Sequence, residues 1–397
     1  MKYRLILFLL FGIDALILCF ETSHVSIASS EAVLLYDEHT FLSYIVNNFL
    51  SLVGKSDFTL RLPFIIFHLL SALLIYLISK EYVSKEKNRL WLLVAFMLLP
   101  GVVSSAIMVN HAGFLIFGLL FYIYVEKRVP LIWKNLLLFL YSLIDGGFSY
   151  LFLGVGIYNF HHKDKREALY SFGLYILNAY LYGFDVYGYP RGHFLDTIGL
   201  YSAIFTPVIF IYIFYTLYRR YLTAKKDELW YISVTALIFS LVLSFRQRVP
   251  IEHFAPYLIV AMPLAAQTFV SSYRVRLKEH RKGYRAIFIL AFILLILNTL
   301  VVFFNKELYL ILDNPKKNFA YNMHIAKELA QTLKNNNIKC LRTDNKMQRR
   351  LRFYGIEKCS KYILLELPLS GKKQADVTIS YKGKILYRGN VTKLNNK

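Results

Sequence analysis

Charged side chains that could do chemistry occur in short polar segments between long apolar blocks. Glu31 lies in one such segment, and four arginines lie in this and similar segments, namely Arg61, Arg191, Arg246 and Arg248. A carboxylate can accept a proton from an attacking hydroxyl or amine. The planar guanidinium of arginine can hold a phosphate through two parallel hydrogen bonds. These residue types therefore predict proton transfer beside a phosphate-bearing compound.

The apolar blocks indicate a membrane protein. Of the 397 residues, 56% are hydrophobic, and the mean hydropathy is +0.43. The blocks run for about 15–22 residues, which is the length that crosses a bilayer. The chain is also basic, with a formal net charge of +22. In a membrane protein such an excess first reflects the placement of basic loops, so we expect no nucleic-acid partner.

We predict about eleven transmembrane helices from these blocks. They are Tyr3–Phe20, Leu62–Ser79, Leu90–Val109, Gly113–Val125, Leu131–Ile144, Phe148–Phe160, Leu169–Gly183, Ile198–Leu217, Leu229–Phe245, Phe254–Val270 and Ala286–Phe304. The region Val125–Phe160 has two interpretations, either two short helices around Asp145 or one re-entrant hairpin. The first block could be a signal peptide, but Asp14 inside it and the lack of a clean cleavage site favour a retained helix.

The distribution of basic residues orients the helices. Basic residues concentrate in the loops at 80–89, 127–128, 163–166, 219–226 and 274–285, which alternate with loops that carry few of them. Positively charged loops stay in the cytoplasm. We therefore expect a multi-pass protein of the cell inner (plasma) membrane with a cytoplasmic N-terminus. With an odd number of helices, the loop 21–61 and the segment after residue 304 are both expected outside.

The first outer loop contains an amphipathic run. From Leu34 to Val53, apolar residues recur at helical spacing, and the apolar face is too narrow for a span. We predict one helix in the plane of the membrane interface, which could border a groove for a lipid tail. Asp37, Glu38 and His39 are interpreted as its solvated face or, alternatively, as ligands of a divalent cation.

Two stretches of the chain resemble one family of membrane enzymes. The first runs from "SSEAVLLYDE" through "GKSDFTLRLP" into the second span, and the other is "RQRVPIEHFAPYLIVAMPLAA". They resemble the first outer loop and a late basic loop of the C superfamily (GT-C) of glycosyltransferases, which use polyprenyl-phosphate sugars. The first stretch is similar to glycosyltransferase family 39, which holds protein O-mannosyltransferases and lipid A aminoarabinose transferases. The resemblance implies an all-α polytopic membrane fold of GT-C type.

The resemblance also implies an activity. It implies transfer of a sugar from a polyprenyl-phosphate donor to a lipid, glycan or protein acceptor on the extracytoplasmic face. That reaction needs a base for the acceptor proton and cations for the departing phosphate. Two other functions stay open. A glycan polymerase or ligase would have its main outer loop late in the chain, and a flippase or transporter would show internal repeats.

The resemblance assigns roles to particular polar residues. Glu31 is expected to be the general base or to hold the acceptor, although a plain helix N-terminus also favours an acid. Family members carry a second acid at the outer end of the third span, where this chain has Asn110 and His111. These two residues either line the site or end a helix, and Asp145 is a substitute candidate for the missing acid. Whether a divalent cation takes part stays open.

The outer basic residues are expected to bind the lipid phosphate. The positive-inside rule disfavours basic residues in outer loops, so it does not explain Arg61, Arg246 and Arg248, which suggests a functional role for them. His253, at the start of the next span, could add a further donor. Arg191 lies in "YGYPRGHF", where ordering of the loop and contact with the substrate are alternative roles.

Residues 305–397 differ in composition from the rest and predict a second domain. Helical patterns at Asn318–Asn336 and Lys346–Tyr354 alternate with strand-like stretches, and Lys382-Gly383 predicts a hairpin turn. We therefore divide the chain into a transmembrane domain, 1–304, and a small basic α/β domain outside the membrane.

The expected location of the second domain bears on its partners and cysteines. Its basic character suits contact with anionic lipid headgroups or acidic glycans. An outside location permits a disulfide between Cys340 and Cys359, and reduced buried thiols are the alternative.

Overall fold

The chain forms two compact units in a computed structural model that describes residues 2–183, 190–223, 226–369 and 375–393. Unit 1 consists of Met1–Leu16, Phe64–Ala106 and Asn110–Thr299, and unit 2 consists of Ile17–Pro63, Ile107–Val109 and Leu300–Lys397. The first outer loop therefore belongs to the same unit as the C-terminal segment. The domain boundary predicted after residue 304 stays a prediction. Part of the basic loop 219–226 and the last four residues lie outside the described ranges.

The described residues are mostly helical. In chain order the helices are α1 (Lys2–His24), α2 (Ser29–Tyr36), α3 (Phe41–Val53), α4 (Asp57–Tyr82), α5 (Glu86–Met97), α6 (Pro100–Ile107), α7 (His111–Glu126), α8 (Leu131–Ile144), α9 (Ser149–His161), α10 (Lys165–Tyr182), α11 (Phe194–Phe205), α12 (Pro207–Leu222), α13 (Glu228–Ser244), α14 (Ile251–Ile259), α15 (Met262–Val275), α16 (Lys278–Phe303), α17 (Leu308–Ile311), α18 (Ala326–Asn335) and α19 (Asn345–Phe353). Short 3₁₀ helices lie at Gly146–Phe148, Pro315–Lys317 and Tyr321–Met323.

The predicted spans are helical, but fewer of them than predicted are long enough to cross a membrane unaided. Within the described ranges, four helices are long and apolar enough, namely Tyr3–His24, Asp57–Tyr82, Ile251–Val275 and Lys278–Phe303. The number rises to six if each of two bent helix pairs is one span. Shorter apolar helices such as α7, α8 and α13 accompany them. The prediction of about eleven spans therefore stays a prediction.

Two predicted spans are broken by proline. The block Leu90–Val109 is divided into α5 and α6, which meet at an angle of 57°, and the block Ile198–Leu217 is divided into α11 and α12 at 105°. Pro100 and Pro207 are the first residues of α6 and α12. Proline lacks the N–H that would continue the preceding helix, so each helix ends before it. Thr206 lies at the sharper bend with a φ of 64°.

The first outer loop holds two helices where we predicted one. The amphipathic run from Leu34 to Val53 is divided between α2, which ends at Tyr36, and α3, which begins at Phe41. Thr40 starts the second helix, because its hydroxyl accepts a hydrogen bond from the Ser43 N–H at 3.3 Å. The prediction of one continuous interfacial helix is therefore wrong.

A three-stranded antiparallel sheet lies near the C-terminus and contains the hairpin turn predicted at Lys382-Gly383. The strands are β1 (Tyr362–Glu366), β2 (Val377–Tyr381) and β3 (Lys384–Lys393), in the order β1-β3-β2. Lys382 and Gly383 join β2 to β3 with φ values of 46° and 84°. Two consecutive residues with positive φ are what a type I′ hairpin turn requires.

The sheet is packed against α18 and α19 over an apolar core. Leu329 and Leu333 of α18, Leu351 of α19 and Ile379 of β2 are buried in it. Beside this core a disulfide joins Cys340 to Cys359, whose Cα atoms are 5.4 Å apart. The α/β character predicted for this segment is confirmed, although the stretch from Ile338 to Thr343 forms isolated bridges rather than a strand.

Candidate active site

His111 begins α7 and contacts an acid from a distant part of the chain. Asn110 caps the helix, because its side-chain oxygen accepts a hydrogen bond from the Gly113 N–H at 3.1 Å. The Nδ1 atom of His111 lies 2.7 Å from Oδ2 of Asp145. The structure therefore brings His111 into contact with Asp145, the substitute candidate for the missing acid, while Asn110 caps the start of the helix beside them.

Asp145 lies in a tight turn between α8 and the 3₁₀ helix at Gly146–Phe148. Its Oδ1 atom accepts a hydrogen bond from the Gly147 N–H at 2.7 Å. Burial acts to raise the pKa of the Asp145 carboxyl, but the hydrogen bond and charge of His111, the Gly147 N–H and the charge of His253 outweigh it, so the pKa is lowered. This carboxyl group is therefore held in its charged form.

His253 completes a group of three possible ligands in unit 1. It lies on α14, and its ring centroid is 5.6 Å from that of His111 at an interplanar angle of 76°. One side-chain atom each from His111, Asp145 and His253 lies within 4.8 Å of the others. Asp145 is buried, whereas both histidines are half-buried. The group can therefore be reached from outside while its carboxylate is shielded from water.

Contacts among α14, the turn after α8 and α7 hold this group in place. The Tyr257 hydroxyl, one helical turn beyond His253, donates to the Gly147 carbonyl at 2.6 Å and accepts from the Leu151 N–H at 3.0 Å. A Cβ atom at Gly147 would lie 2.4 Å from the Cδ1 atom of Leu115, so a larger residue there would displace that side chain or move the turn away from α7. Tyr257 and Gly147 were not identified from the sequence, since nothing in their spacing distinguishes them.

Close helix packing supports the same region. A Cβ atom at Gly154 of α9 would lie 2.7 Å from the Ile232 Cα atom of α13. Small residues at such positions let membrane helices approach each other closely. The α9 helix follows the Asp145 turn and α13 leads to the segment before His253, so this packing fixes the two elements that flank the group.

Three of the predicted phosphate ligands lie on two segments that are paired through the backbone. The Arg191 N–H donates to the Arg246 carbonyl at 2.8 Å, and the His193 N–H donates to the Ser244 carbonyl at 2.7 Å. Arg191, Arg246 and Arg248 are all exposed. Among the described residues none of these three arginines forms an ion pair.

Arg61, predicted to bind phosphate, is instead satisfied inside unit 2. Its Nε and Nη2 atoms donate to the two oxygens of Glu31 at 3.0 and 2.7 Å. Its Nη1 atom donates to the carbonyls of Thr22 and Val25, at 3.3 and 2.6 Å, and Nη2 also donates to that of Ser26 at 2.9 Å. All five guanidinium N–H groups therefore have acceptors, so a phosphate could bind only by displacing one of them.

Glu31, predicted to be the general base, is fully buried and has four donors on its carboxylate. Besides the two from Arg61, the Ala28 N–H donates to Oε2 at 2.7 Å and the Val109 N–H donates to Oε1 at 2.9 Å. An acceptor hydroxyl would have to displace one of these donors to give its proton to Glu31. The contacts therefore favour a role in holding the loop, and the base assignment stays a prediction.

The C-terminal segment contacts the same loop within unit 2. The carboxylate of Asp57 accepts a hydrogen bond from the Tyr354 hydroxyl at 2.5 Å and pairs with Lys327 at 2.8 Å. The Tyr354 hydroxyl also accepts from the Ile27 N–H at 2.9 Å, and the Ser26 N–H donates to the carbonyl of Met323 at 2.9 Å. The residues leading to Glu31 are thus tied to the segment 323–354.

The acidic stretch after α2 does not form a ligand group in the described part of the chain. Asp37 pairs with Arg349 at 2.6 Å, and both side chains are more than a third exposed. Within the described ranges the group that can hold a metal ion is formed by His111, Asp145 and His253. The solvated-face interpretation of Asp37 agrees with its exposure.

The fold is similar to that of a solved structure, ArnT from Cupriavidus metallidurans in the apo state. The TM-score is 0.50 at 11% sequence identity, over 88% of this chain and 85% of that chain. No protein-family model matches the chain, and no curated protein sequence matches it. A similarity at this identity shows the fold alone. The chain therefore adopts a helical fold like that of ArnT.

Proposed function

We propose that this chain is a membrane glycosyltransferase that moves a sugar from a polyprenyl-phosphate donor to a lipid or glycan acceptor on the extracytoplasmic face. Three features support the proposal: the ArnT-like fold, the apolar helices and the polar site residues in outer loops. The sugar and the acceptor are not specified by any of these features.

One observation supports the proposal most strongly. Arg191, Arg246 and Arg248 are exposed on two backbone-paired segments and have no acidic partner among the described residues. Unpaired arginines in outer loops run against the positive-inside rule. A phosphate group at headgroup level is the anion that a lipid-linked donor would present there. These arginines are therefore proposed to hold the donor phosphate, whose negative charge grows as the glycosidic bond breaks.

The remaining site residues receive roles from their contacts. His111 and His253 lie with Asp145 in a half-buried group of unit 1 and are proposed to contact the substrate. Asn110 is proposed to position His111 through the helix cap. Glu31 and Arg61 are proposed to position the first outer loop, since each uses its hydrogen-bonding groups on the other and on the loop backbone.

We propose that the segment 305–397 lies outside the membrane. The odd number of predicted spans supports this placement. The disulfide between Cys340 and Cys359 supports it as well, because such bonds persist in oxidising compartments and are rare in the cytosol.

The glycans of a strain that lacks the protein test the proposed function. We expect the deletion to remove a sugar from one envelope lipid or glycan, and the wild-type chain to restore it. The double variant Arg246→Ala/Arg248→Ala should not restore the sugar, while Arg166→Ala, an exposed arginine of a predicted cytoplasmic loop, should. Loss of the sugar together with accumulation of the donor on the cytoplasmic face would instead indicate a flippase, and an unchanged glycan profile would contradict both functions.

A further inference from the structure

We propose that His111, Asp145 and His253 form a binding site for a divalent transition-metal ion of the zinc class. The three side chains come from the start of α7, from the turn after α8 and from the first turn of α14. They offer two imidazole nitrogens and one carboxylate oxygen, with ligand atoms within 4.8 Å of one another. This assignment rests on the geometry of unit 1 and not on the proposed transferase activity.

The spacing of the ligand atoms suits one small ion. Zinc binds histidine nitrogen and carboxylate oxygen at about 2.0–2.2 Å, so neighbouring ligands of a tetrahedral ion lie about 3.4 Å apart. His111 Nδ1 and Asp145 Oδ2 are closer than this, at 2.7 Å, and no pair in the group exceeds 4.8 Å. Small rotations of the three side chains would therefore bring all of them into a common coordination sphere.

Hydrogen bonds around the group hold its side chains in the way that metal ligands are usually held. Metal-binding carboxylates are usually held through their second oxygen by a hydrogen-bond donor. The Oδ1 atom of Asp145 is held by the Gly147 N–H at 2.7 Å, which leaves Oδ2 directed to His111. Tyr257 fixes the α14 helix to the same turn through the Gly147 carbonyl. The carboxylate and His253 are thus positioned by one connected set of hydrogen bonds.

The ligand types select the class of metal. Magnesium and calcium prefer shells made of oxygen atoms, whereas imidazole suits zinc, copper, iron and nickel. Two histidines with one carboxylate therefore favour a zinc-class ion over magnesium. Three protein ligands also leave a coordination position open, which is the arrangement of catalytic rather than structural zinc sites. Since both histidines are half-buried, an oxygen of an incoming phosphate or a water molecule could take that position.

The metal content of the purified full-length chain tests the proposal. The chain is purified in detergent, treated with a chelator, and titrated with ZnCl₂, and bound metal is measured by elemental mass spectrometry after removal of free ion. We expect one zinc ion per chain and a rise of the unfolding temperature with zinc, because an ion that binds the folded state stabilises it. The variants His111→Asn, His253→Asn and Asp145→Asn should each weaken zinc binding by more than the roughly 10- to 100-fold that loss of an outer hydrogen-bond partner costs.

A matched control separates this site from adventitious histidine binding. His280→Asn removes an exposed histidine of α16 and should leave stoichiometry and the zinc-dependent unfolding temperature unchanged. Cobalt offers a second measurement, since the intensity of its visible absorption bands reports whether the ion sits in a four-coordinate site of the folded protein. The proposal is overturned if the wild-type chain binds no zinc, or if the double variant His111→Asn/His253→Asn binds zinc as tightly as the wild type. Binding of magnesium in preference to zinc would also overturn it.

Discussion

Arg61 donates two parallel hydrogen bonds to Glu31, from Nε to Oε1 at 3.0 Å and from Nη2 to Oε2 at 2.7 Å, and both side chains are fully buried. The pair joins the first turns of α4 to the start of α2, and the spare N–H groups of Arg61 hold the backbone between them. A buried ion pair contributes little net stability, but removal of one partner leaves an unpaired buried charge.

Neutralising one member of this pair should therefore destabilise the chain strongly. We expect Glu31→Gln to lower the free energy of unfolding by about 3–5 kcal/mol, because Arg61 stays charged and loses its counter-ion. The double variant Glu31→Gln/Arg61→Met should recover part of this loss. Thermal unfolding in detergent measures both. The matched control is Asp37→Asn, which breaks the exposed pair with Arg349 and should cost about 0–1 kcal/mol. Equal effects of Glu31→Gln and Asp37→Asn would contradict the account of the pair.

The Tyr354 hydroxyl should stabilise the contact between the C-terminal segment and the first outer loop. It donates to Asp57 and accepts from the Ile27 N–H. Tyr354→Phe removes both bonds and should cost about 1–3 kcal/mol, since it leaves buried polar groups unpaired. Tyr44→Phe, at an exposed tyrosine, should stay within about 0.5 kcal/mol. Urea unfolding, followed by limited proteolysis, measures the free energy of unfolding of each variant. Equal values for Tyr354→Phe and Tyr44→Phe would rule out this role for the Tyr354 hydroxyl.

Stability should fall below neutral pH because of His324. Burial and, to a lesser extent, the charge of Lys306 lower the pKa of this imidazole from 6.5 to about 3. Below pH 6.5 His324 therefore binds a proton in the unfolded chain but not in the folded chain. Stability is lost as the pH falls from 6.5 towards 3. The loss should reach about 2 kcal/mol at pH 5. Unfolding temperatures of the wild type and His324→Gln, compared from pH 7.5 to 5, should converge as the pH falls, and a constant difference would refute this source of pH dependence.

Arg246 and Arg248 should control the affinity for the donor. A charge-assisted hydrogen bond to phosphate contributes roughly 1.5–3 kcal/mol, so each Arg→Ala variant should lose about 10- to 150-fold in donor binding or rate. The lysine variants keep the charge but lose the planar fork, and they should fall between the wild type and alanine. The dependence of turnover on donor concentration measures the loss. Unchanged behaviour of both double variants, Ala-Ala and Lys-Lys, would make Arg191, which is paired with Arg246 through the backbone, the next arginine to test.

The C-terminus should lie outside the cytoplasm. An alkaline phosphatase fusion after Lys397 should be active, because that enzyme folds only where disulfides form. A fusion after Arg128, in a predicted cytoplasmic loop, serves as the control and should be inactive. The reverse pattern would mean that a span has been miscounted, with the region Val125–Phe160 the first to be revised.

The helices could be predicted from the sequence because their length follows from apolar blocks. The block Leu131–Ile144 was predicted with the bounds that α8 has in the structure. Breaks inside a block were harder to predict, since Leu90–Val109 and Ile198–Leu217 are apolar throughout. Pro100 and Pro207 were the available signals, and the sharp bend at Thr206 follows from the second of them.

The grouping of the site residues could not be predicted from the sequence. His111, Asp145 and His253 were each noted, but Asp145 is 34 residues from His111 and their contact depends on how α7 and α14 pack. The same limit applies to Glu31 and Arg61, which are 30 residues apart. Their residue types indicated chemistry, whereas only their positions in space show that the two neutralise each other.

Donor turnover by the purified chain in lipid nanodiscs is the direct measurement of the proposed transferase activity. A panel of polyprenyl-phosphate sugars is incubated with the chain and a lipid or glycan acceptor extract, and free polyprenyl phosphate is measured by mass spectrometry. We expect at least one donor to release polyprenyl phosphate in proportion to the amount of protein. We also expect this release to fall by 10-fold or more in the double variant Arg246→Ala/Arg248→Ala. Donors that all remain intact with folded wild-type protein, or release that is identical in the double variant, would contradict the proposed activity.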